Sequence, residues 1–545
     1  MDIGAFTAKE IILFCPNDQT VSRSEQLRGC VPEKGTFGFD VIVAVGLSLF
    51  VHCRGHRETM QELASRNVHL SEREIGYLGR KFIFYLALSH QRSQAGLRNW
   101  LAKNGGYILH IDGTCEGDSP FLFCGLDGIS ELILDTIKIS SEKKVHLVPF
   151  FKRIREQYGL PLALVHDMAK GIISAVEEVF PGVPDYICHF HFLRDIGKDL
   201  LLEDYTAFAK RLRKFKVRSL LRQRLKHFGQ KVDKAALNLD AFRASLESGQ
   251  WRSLELEHIP VIITCTLIRW VLDYSCESGG YGFPFDRPHL DFYRRLQRAH
   301  ELLDAITNTR LSGRFKDNKP FYQVYRLFKP FVEDKRLNTL AAELEEKAEV
   351  FDKLREAMRI ALPESGKGVN DDGGDNIKSI EQKVTAFRKW LTLTQDRKAT
   401  YAKMISQIDK YKEKLFADPL PVVTPDGVIY VQPQRTNNIL EQFFREEKRR
   451  GRKRTGKASL NKELKTILAG TPLVRNLDNS AYMDLILDGC ADLPERFSQI
   501  EAALVKKEMQ KMERQGGKVL SALNGLFRDS ELPVKIGTLL AEIAK

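Results

Sequence analysis

Asp112 and Asp167 are the residues whose type and spacing could do chemistry. Asp112 follows the apolar run Tyr107–Ile111, and Asp167 follows Leu162–Val165 and His166, so each carboxylate is expected at the end of a short strand. They stand 167 − 112 = 55 residues apart. A third acid, Glu441, lies 441 − 167 = 274 residues further on, in a helix that opens with the capping sequence Arg435-Thr436-Asn437-Asn438. A single Asp at a strand end commonly does no more than cap backbone. Three carboxylates converging from strand ends and a facing helix would meet the needs of phosphodiester chemistry without a covalent protein nucleophile. In that chemistry two divalent cations about 3.5–4 Å apart activate the attacking oxygen and stabilise the leaving one. Mg²⁺, or Mn²⁺ in its place, suits such hard oxygen ligands.

Those carboxylates need a sheet to hold them, and the pattern around them supplies one. Tyr107–Ile111, Phe121–Leu126 and Leu132–Ile139 read as three strands in a meander. Lys143–Tyr158 has helical spacing, Leu162–Val165 is a further strand, Ala169–Val179 a helix stopped by Pro181-Gly182, and Tyr186–Ile187 a brief strand before a new helix. The order β-β-β-α-β-α-β-α is that of an RNase H-like fold. Upstream, Glu58–Ser65 and a helix capped by Ser71 with Glu74 form either a helix-turn-helix or an ordinary helical hairpin. From about Glu203 to Leu420 the strand signals largely vanish, with Gly-rich loops at Cys276–Pro288 and Pro363–Asn376. Val422–Thr424 and Val428–Val431, around Pro425-Asp426-Gly427, read as a hairpin leading into the Glu441 helix. The expected class is α/β: an RNase H-like mixed sheet flanked by helices, interrupted by a large all-α insertion, with N- and C-terminal helical regions. The expected divisions are an N-terminal region over 1–100, a first core part over 101–203, the insertion over 204–420, a last core part over 421–460 and a C-terminal region over 461–545.

Four short motifs in order, His110-Ile-Asp112-Gly-Thr, His166-Asp167-Met, Cys188-His-Phe-His191-Phe-Leu-Arg and Arg435-Thr-Asn-Asn-Ile-Leu-Glu441, resemble the DDE transposases. The likeness is closest to the Mutator-like group as found in prokaryotic-type insertion sequences. In that group a helical domain is inserted between the second Asp and the Glu. The resemblance covers about residues 105–205 and 430–456. It implies a transposase that cleaves DNA at transposon ends and joins their 3′ ends to target DNA. Asp112, Asp167 and Glu441 would be the catalytic residues and the ligands of two Mg²⁺ or Mn²⁺ ions, with Asp112 bridging both. Cys188 and His191 fit the group's Cys-x-x-His signature, for which packing, DNA proximity and metal binding are all open. Cutting and holding two ends implies a homodimer or higher oligomer. The rival readings are a structure-specific nuclease on the same fold and a catalytically silent DNA-binding relative.

The charge agrees with a polyanionic partner. The chain has 545 residues with 84 Lys+Arg against 71 Asp+Glu, a formal charge of +13, and 43% apolar residues, which excludes wholesale disorder. Eight basic residues fall within the thirteen from Arg445 to Lys457, starting one turn after Glu441. Arg445, Lys448, Arg449, Arg452, Lys453 and Arg454 are accordingly candidates for contacting the phosphates of double-stranded DNA; a solvated face or a targeting patch is the alternative. Lys210–Lys226 is a second basic stretch, open between phosphate binding and plain solubility, and Trp251, Trp270 and Trp390 are open between core packing and base stacking. No early apolar run approaches the roughly 20 residues of a membrane span, and the start lacks a signal-peptide pattern. Nine sparse cysteines suit a reducing compartment, so the expected location is cytoplasmic, nucleoid-associated when DNA-bound. An irregular Cys15, Cys30, Cys53, His56 zinc site is a minor alternative to free thiols.

Overall fold

A computed structural model describes residues 7–234, 239–249, 258–309, 313, 315, 317–362, 370, 376–393, 398–424, 427–433, 435–457, 459–511 and 531–543. Trp251, Pro425, Asp426 and all of the Pro363–Asn376 stretch except Asn370 and Asn376 lie outside these residues. The chain divides into two compact units. One comprises 1–186 with 419–545 and the other 187–418.

In the first unit, helix α1 (Phe39–Gly46) runs into a π-helical turn over Leu47–Val51, followed by α2 (His56–Ala64), α3 (Glu72–Arg92) and α4 (Gln94–Lys103). The capping box that starts α3 is formed in full: Ser71 Oγ accepts from the Glu74 N–H, and the Glu74 carboxylate accepts from the Ser71 N–H at 2.8 Å. Ile75, Leu78, Phe82, Ile83 and Leu86 line the inner face of α3 and enter the same core as the sheet. This helix is thus chiefly a core element.

The sheet has five strands: β1 (Ile108–Thr114), β2 (Phe121–Asp127), β3 (Ile133–Ile139), β4 (Ala163–His166) and β5 (Asp185–Ile187), in the order β3-β2-β1-β4-β5. Pairings β1–β2 and β2–β3 are antiparallel, and β1–β4 is parallel. Helices α5 (Lys144–Tyr158) and α6 (Lys170–Val179) connect the strands. Every strand and helix here falls within three residues of its sequence-based span. Alternation along β1 sends Leu109 and Ile111 toward Phe150 and Ile154 of α5, while Ile108, His110 and Asp112 face the other side. On that other side Ile108, Ala163 and Val165 pack against Leu420 and Val431 of the hairpin β6 (Leu420–Thr424)–β7 (Gly427–Val431). The last parts of the chain return to this unit. The His90 ring, fully enclosed, meets the hydroxyls of Tyr158 and Tyr482 and the Leu134 carbonyl at 2.9–3.0 Å.

The described elements of the second unit beyond Ile187 are helices: α7 (His189–Lys214), α8 (Val217–Lys234), α9 (Leu239–Ser248), α10 (Ile259–Leu272), a short 3₁₀ turn, α11 (Pro288–Thr307), α12 (Lys319–Val332), α13 (Lys335–Met358), α14 (Ile377–Leu393) and α15 (Lys398–Leu415). Trp270 is covered by the Arg295 guanidinium at 4.8 Å, and Trp390 lies under Lys353 at 4.3 Å beside Phe387. Among the described residues no helix is long and apolar enough to cross a membrane.

Close approach is demanded at Gly46, where any Cβ would fall inside the Phe82 ring where α1 meets α3. Gly46→Ala should therefore lower stability by about 1–3 kcal/mol, the cost of overpacking a core, read from urea unfolding. Gly229→Ala in α8, where a Cβ meets nothing within 4 Å, should be neutral or stabilising by up to about 1 kcal/mol.

Candidate active site

The parallel register explains why Asp112 and Asp167 meet. Ile108 pairs with Ala163, Leu109 with Leu164 and His110 with Val165, each pair 55 residues apart. Extending the same offset by two residues sets position 112 beside 167 on one face. Asp112 is only 7% exposed and accepts the Gly113 N–H at 2.7 Å. Asp167 follows the last residue of β4, and its Oδ1 accepts the Ala169 N–H at 3.0 Å, an Asx turn that leads the chain into α6.

The third carboxylate arrives on α16 (Asn438–Thr455), and one side chain fixes where that helix begins. Asn437, fully buried, donates through Nδ2 to the Ile111 carbonyl at 2.8 Å, while its Oδ1 meets His110 Nδ1 at 2.9 Å. Because the amide nitrogen is committed to a carbonyl, Oδ1 must accept, so His110 carries its proton on Nδ1. The two bonds grip β1 at the residues immediately before Asp112. Glu441 follows one turn into α16, with Arg445 at 3.5 Å from its carboxylate. Ile439, Leu440 and Phe443 anchor the same turn in the core.

A fourth carboxylate joins them. Glu142, just before α5, has its Oε1 so close over Gly113 that a Cβ there would lie 3.1 Å from it, and a Cβ at Gly171 would overlap the Glu142 carbonyl. The glycine after Asp112 is thus what lets Glu142 in. Burial foremost, then the charges of Asp167, Glu441 and Glu142, push the Asp112 carboxyl well above the usual carboxylate range. Burial and Asp167 raise Glu142 to about 7. Nothing in the sequence around Glu142, a polar Ser-Glu-Lys-Lys stretch past a strand end, marks it; its close approach to Gly113 brings it in.

The donor set is therefore three or four carboxylates that repel one another, and hard oxygens of this kind fit divalent cations as the group that would relieve the repulsion. Among the described residues no group of three or more His, Cys, Asp or Glu side chains is placed closely enough to hold a metal ion.

The basic run divides. Arg445, Arg449, Arg452 and Lys453 are exposed, and Lys448, half-exposed, lies 3.9 Å from Glu116. Arg454 differs from the sequence-based expectation of a surface cation. It is paired with Glu463 and lies over the Phe50 ring, with Glu447 close by. Gly451 permits this, since a Cβ there would overlap the Glu463 carboxylate. Cys188 and His191 lie in the second unit, both buried, Cys188 immediately before α7 and His191 in its first turn. Burial and the charges of Arg194 and Lys198 push the His191 ring down to about 3. His189 beside them donates to the Leu415 carbonyl at 2.6 Å and accepts from Asn370 at 3.0 Å. The Cys53 thiol is buried against the Phe50 and Val51 carbonyls, whereas Cys30 is exposed.

Two outcomes follow from this geometry. Asn437→Ala removes the buried donor to the Ile111 carbonyl and the hydrogen bond to the His110 ring and should cost about 2–4 kcal/mol in urea unfolding; Asn437→Asp, which lacks the donor, should not rescue it. A carboxyl raised in the folded state binds its proton more tightly folded than unfolded, so stability should fall as pH rises from about 4.5 to about 7 in chelator. Mg²⁺ should restore the thermal midpoint at neutral pH. Asp112→Asn should raise that midpoint in chelator and weaken the Mg²⁺ response, and a wild-type midpoint indifferent to Mg²⁺ would contradict the assignment.

No family model matches this chain and no curated protein matches it, so its function has to be argued from the carboxylate group itself.

Proposed function

We propose that this chain is a DDE-type DNA transposase, cleaving strands and joining 3′ ends on an RNase H-like core with a helical insertion. The observation that carries the reading is the electrostatic convergence of Asp112, Asp167 and Glu441, brought from two adjacent parallel strands and a facing helix onto one face of a mixed sheet. The strand order β3-β2-β1-β4-β5, with two antiparallel pairs and then a parallel one, supports the fold. The motif resemblance supports the reaction class.

In this reading Asp112, Asp167 and Glu441 would be the side chains that hold the divalent cations. Divalent cations there supply the positive charge that activates an attacking water or 3′-hydroxyl and stabilises the leaving oxygen. The chain's own residues do the rest. The Asn437 staple fixes Glu441 against Asp112 before substrate arrives, so little reorganisation remains at the moment of reaction. Arg445, Lys448, Arg449, Arg452 and Lys453 extend from the same helix and hold the phosphates flanking the scissile bond, contacts that position DNA without reading sequence. Arg454 belongs to the helix's own packing and is not in this group.

Asp112→Asn should abolish Mg²⁺-dependent cleavage of a DNA duplex while leaving duplex binding within about twofold, because a neutral amide keeps the shape but not the ligand charge. Undiminished cutting by the variant would sink the metal assignment. Joining of a supplied 3′-hydroxyl end to a plasmid separates a transposase from a nuclease that cuts only. Binding without any cutting by the wild type would favour the silent relative.

A further inference from the structure

The second unit carries its own group of exposed cations that make no ion pair among the described residues. At the start of α8 a cavity of about 210 Å³ is lined by Arg213, Lys216, Arg218, Ser219 and His289, among others. Arg218 is held in place, lying 4.6 Å over the Tyr274 ring and 4.9 Å over Phe292, and it donates to His289 Nδ1 at 2.8 Å. His289 is therefore neutral and acts as an acceptor. Burial and the charges of Arg218 and Arg213 hold its ring down at about 4. No acid lines this cavity. Seven residues along α8, Arg224 opens a second cavity of about 580 Å³ with Lys319, Tyr322 and Arg326 of α12, again with no acid in the lining. Among the described residues Arg213, Lys216, Arg224, Lys319 and Arg326 make no ion pair, in a unit where Arg211, Arg287, Arg294 and Arg388 each have an acidic partner.

We propose that α8 and its flanks form a second phosphate-binding face, for the backbone of duplex DNA. Two features favour a polymer over a single small anion. The two cavities are about 10 Å apart along the helix, seven residues at about 1.5 Å each, a span that covers about three phosphates of one strand at about 3.4 Å per phosphate. The cations at both are also exposed, as a long ligand requires, and only Arg218 is packed from below by aromatic rings. The Tyr322 hydroxyl donates to the Thr307 carbonyl at 3.2 Å, which leaves its ring edge, rather than a free donor, in the second cavity. These contacts read no sequence. They would hold DNA beyond whatever the carboxylate site grips. The choice of DNA as the polyanion rests on the function proposed above.

The test compares the full-length wild type with the Arg213→Ala/Lys216→Ala/Arg224→Ala/Arg326→Ala variant, following binding of a labelled DNA duplex by anisotropy across salt concentrations. The variant should bind at least about tenfold more weakly at moderate salt. Its slope of log K against log salt should flatten by about 0.9 for each phosphate that is no longer neutralised. Wild-type affinity and slope in the variant would overturn the proposal. If the quadruple variant does not fold by circular dichroism, Arg224→Glu/Arg326→Glu, at two exposed positions, gives the same reading. Tripolyphosphate and anionic phospholipid vesicles are run as competitors of duplex. If either loses its binding to the variant while duplex does not, the face belongs to that ligand and the proposal is overturned. A wild type without Mg²⁺-dependent cleavage would defeat the function proposed for the carboxylates, while a flattened slope in the α8 variant would still establish the face.

Discussion

Asn437 ties together segments that are 327 residues apart in the chain. Its amide satisfies the Ile111 carbonyl and the His110 ring at the point where the parallel ladder between β1 and β4 stops. Apolar contacts such as those of Ile439, Leu440 and Phe443 also hold α16 to the core, but they fix a distance rather than a rotation or a register. With Asn437, the position of Glu441 relative to Asp112 is set by two directional bonds in a dry environment. Gly128 serves the same end from the far side, since a Cβ there would lie 2.6 Å from the His110 ring.

The carboxylates held in this way disfavour the fold that holds them. Asp112 is buried beside Asp167, Glu441 and Glu142, and each neighbour raises the cost of its charge. A structural ion pair would not be arranged thus. Elsewhere in the same unit Glu463 is paired with Arg454, and Asp135 with Arg153 at 2.5 Å. Like charge gathered around a buried carboxylate is the arrangement expected of a site kept for a ligand of opposite sign.

Much of this was legible from residues alone, for identifiable reasons. The strands of the sheet are short apolar runs bounded by turn residues, and the Ser71–Glu74 box is a purely local device, so both are visible to pattern. The pairing of Asp112 with Asp167 was legible because a parallel register conserves sequence offset. Glu142 was not, because it enters through close approach over Gly113, a tertiary event with no local signal. Arg454 was misleading for the opposite reason. A run of cations looks uniform in sequence, but on a helix every third or fourth residue turns inward, and Gly451 opens room there for the Glu463 carboxylate. The N-terminal helices illustrate the same limit. Their periodicity was evident, yet whether the inner face of α3 met DNA or a core depended on partners far along the chain, such as Phe497, whose ring stacks on Tyr85 at 5.1 Å.

The central claim is that Asp112, Asp167 and Glu441 form one divalent-cation site. Crystals of the full-length chain grown with Mn²⁺ and examined for anomalous scattering test it most directly. The account predicts anomalous peaks in contact with the Asp112 carboxylate and shared with Asp167 and Glu441, absent from crystals of Asp112→Asn grown in the same solution. Crystals saturated with Mn²⁺ that show no peak at these three side chains, or a peak that persists unchanged in Asp112→Asn, would contradict it.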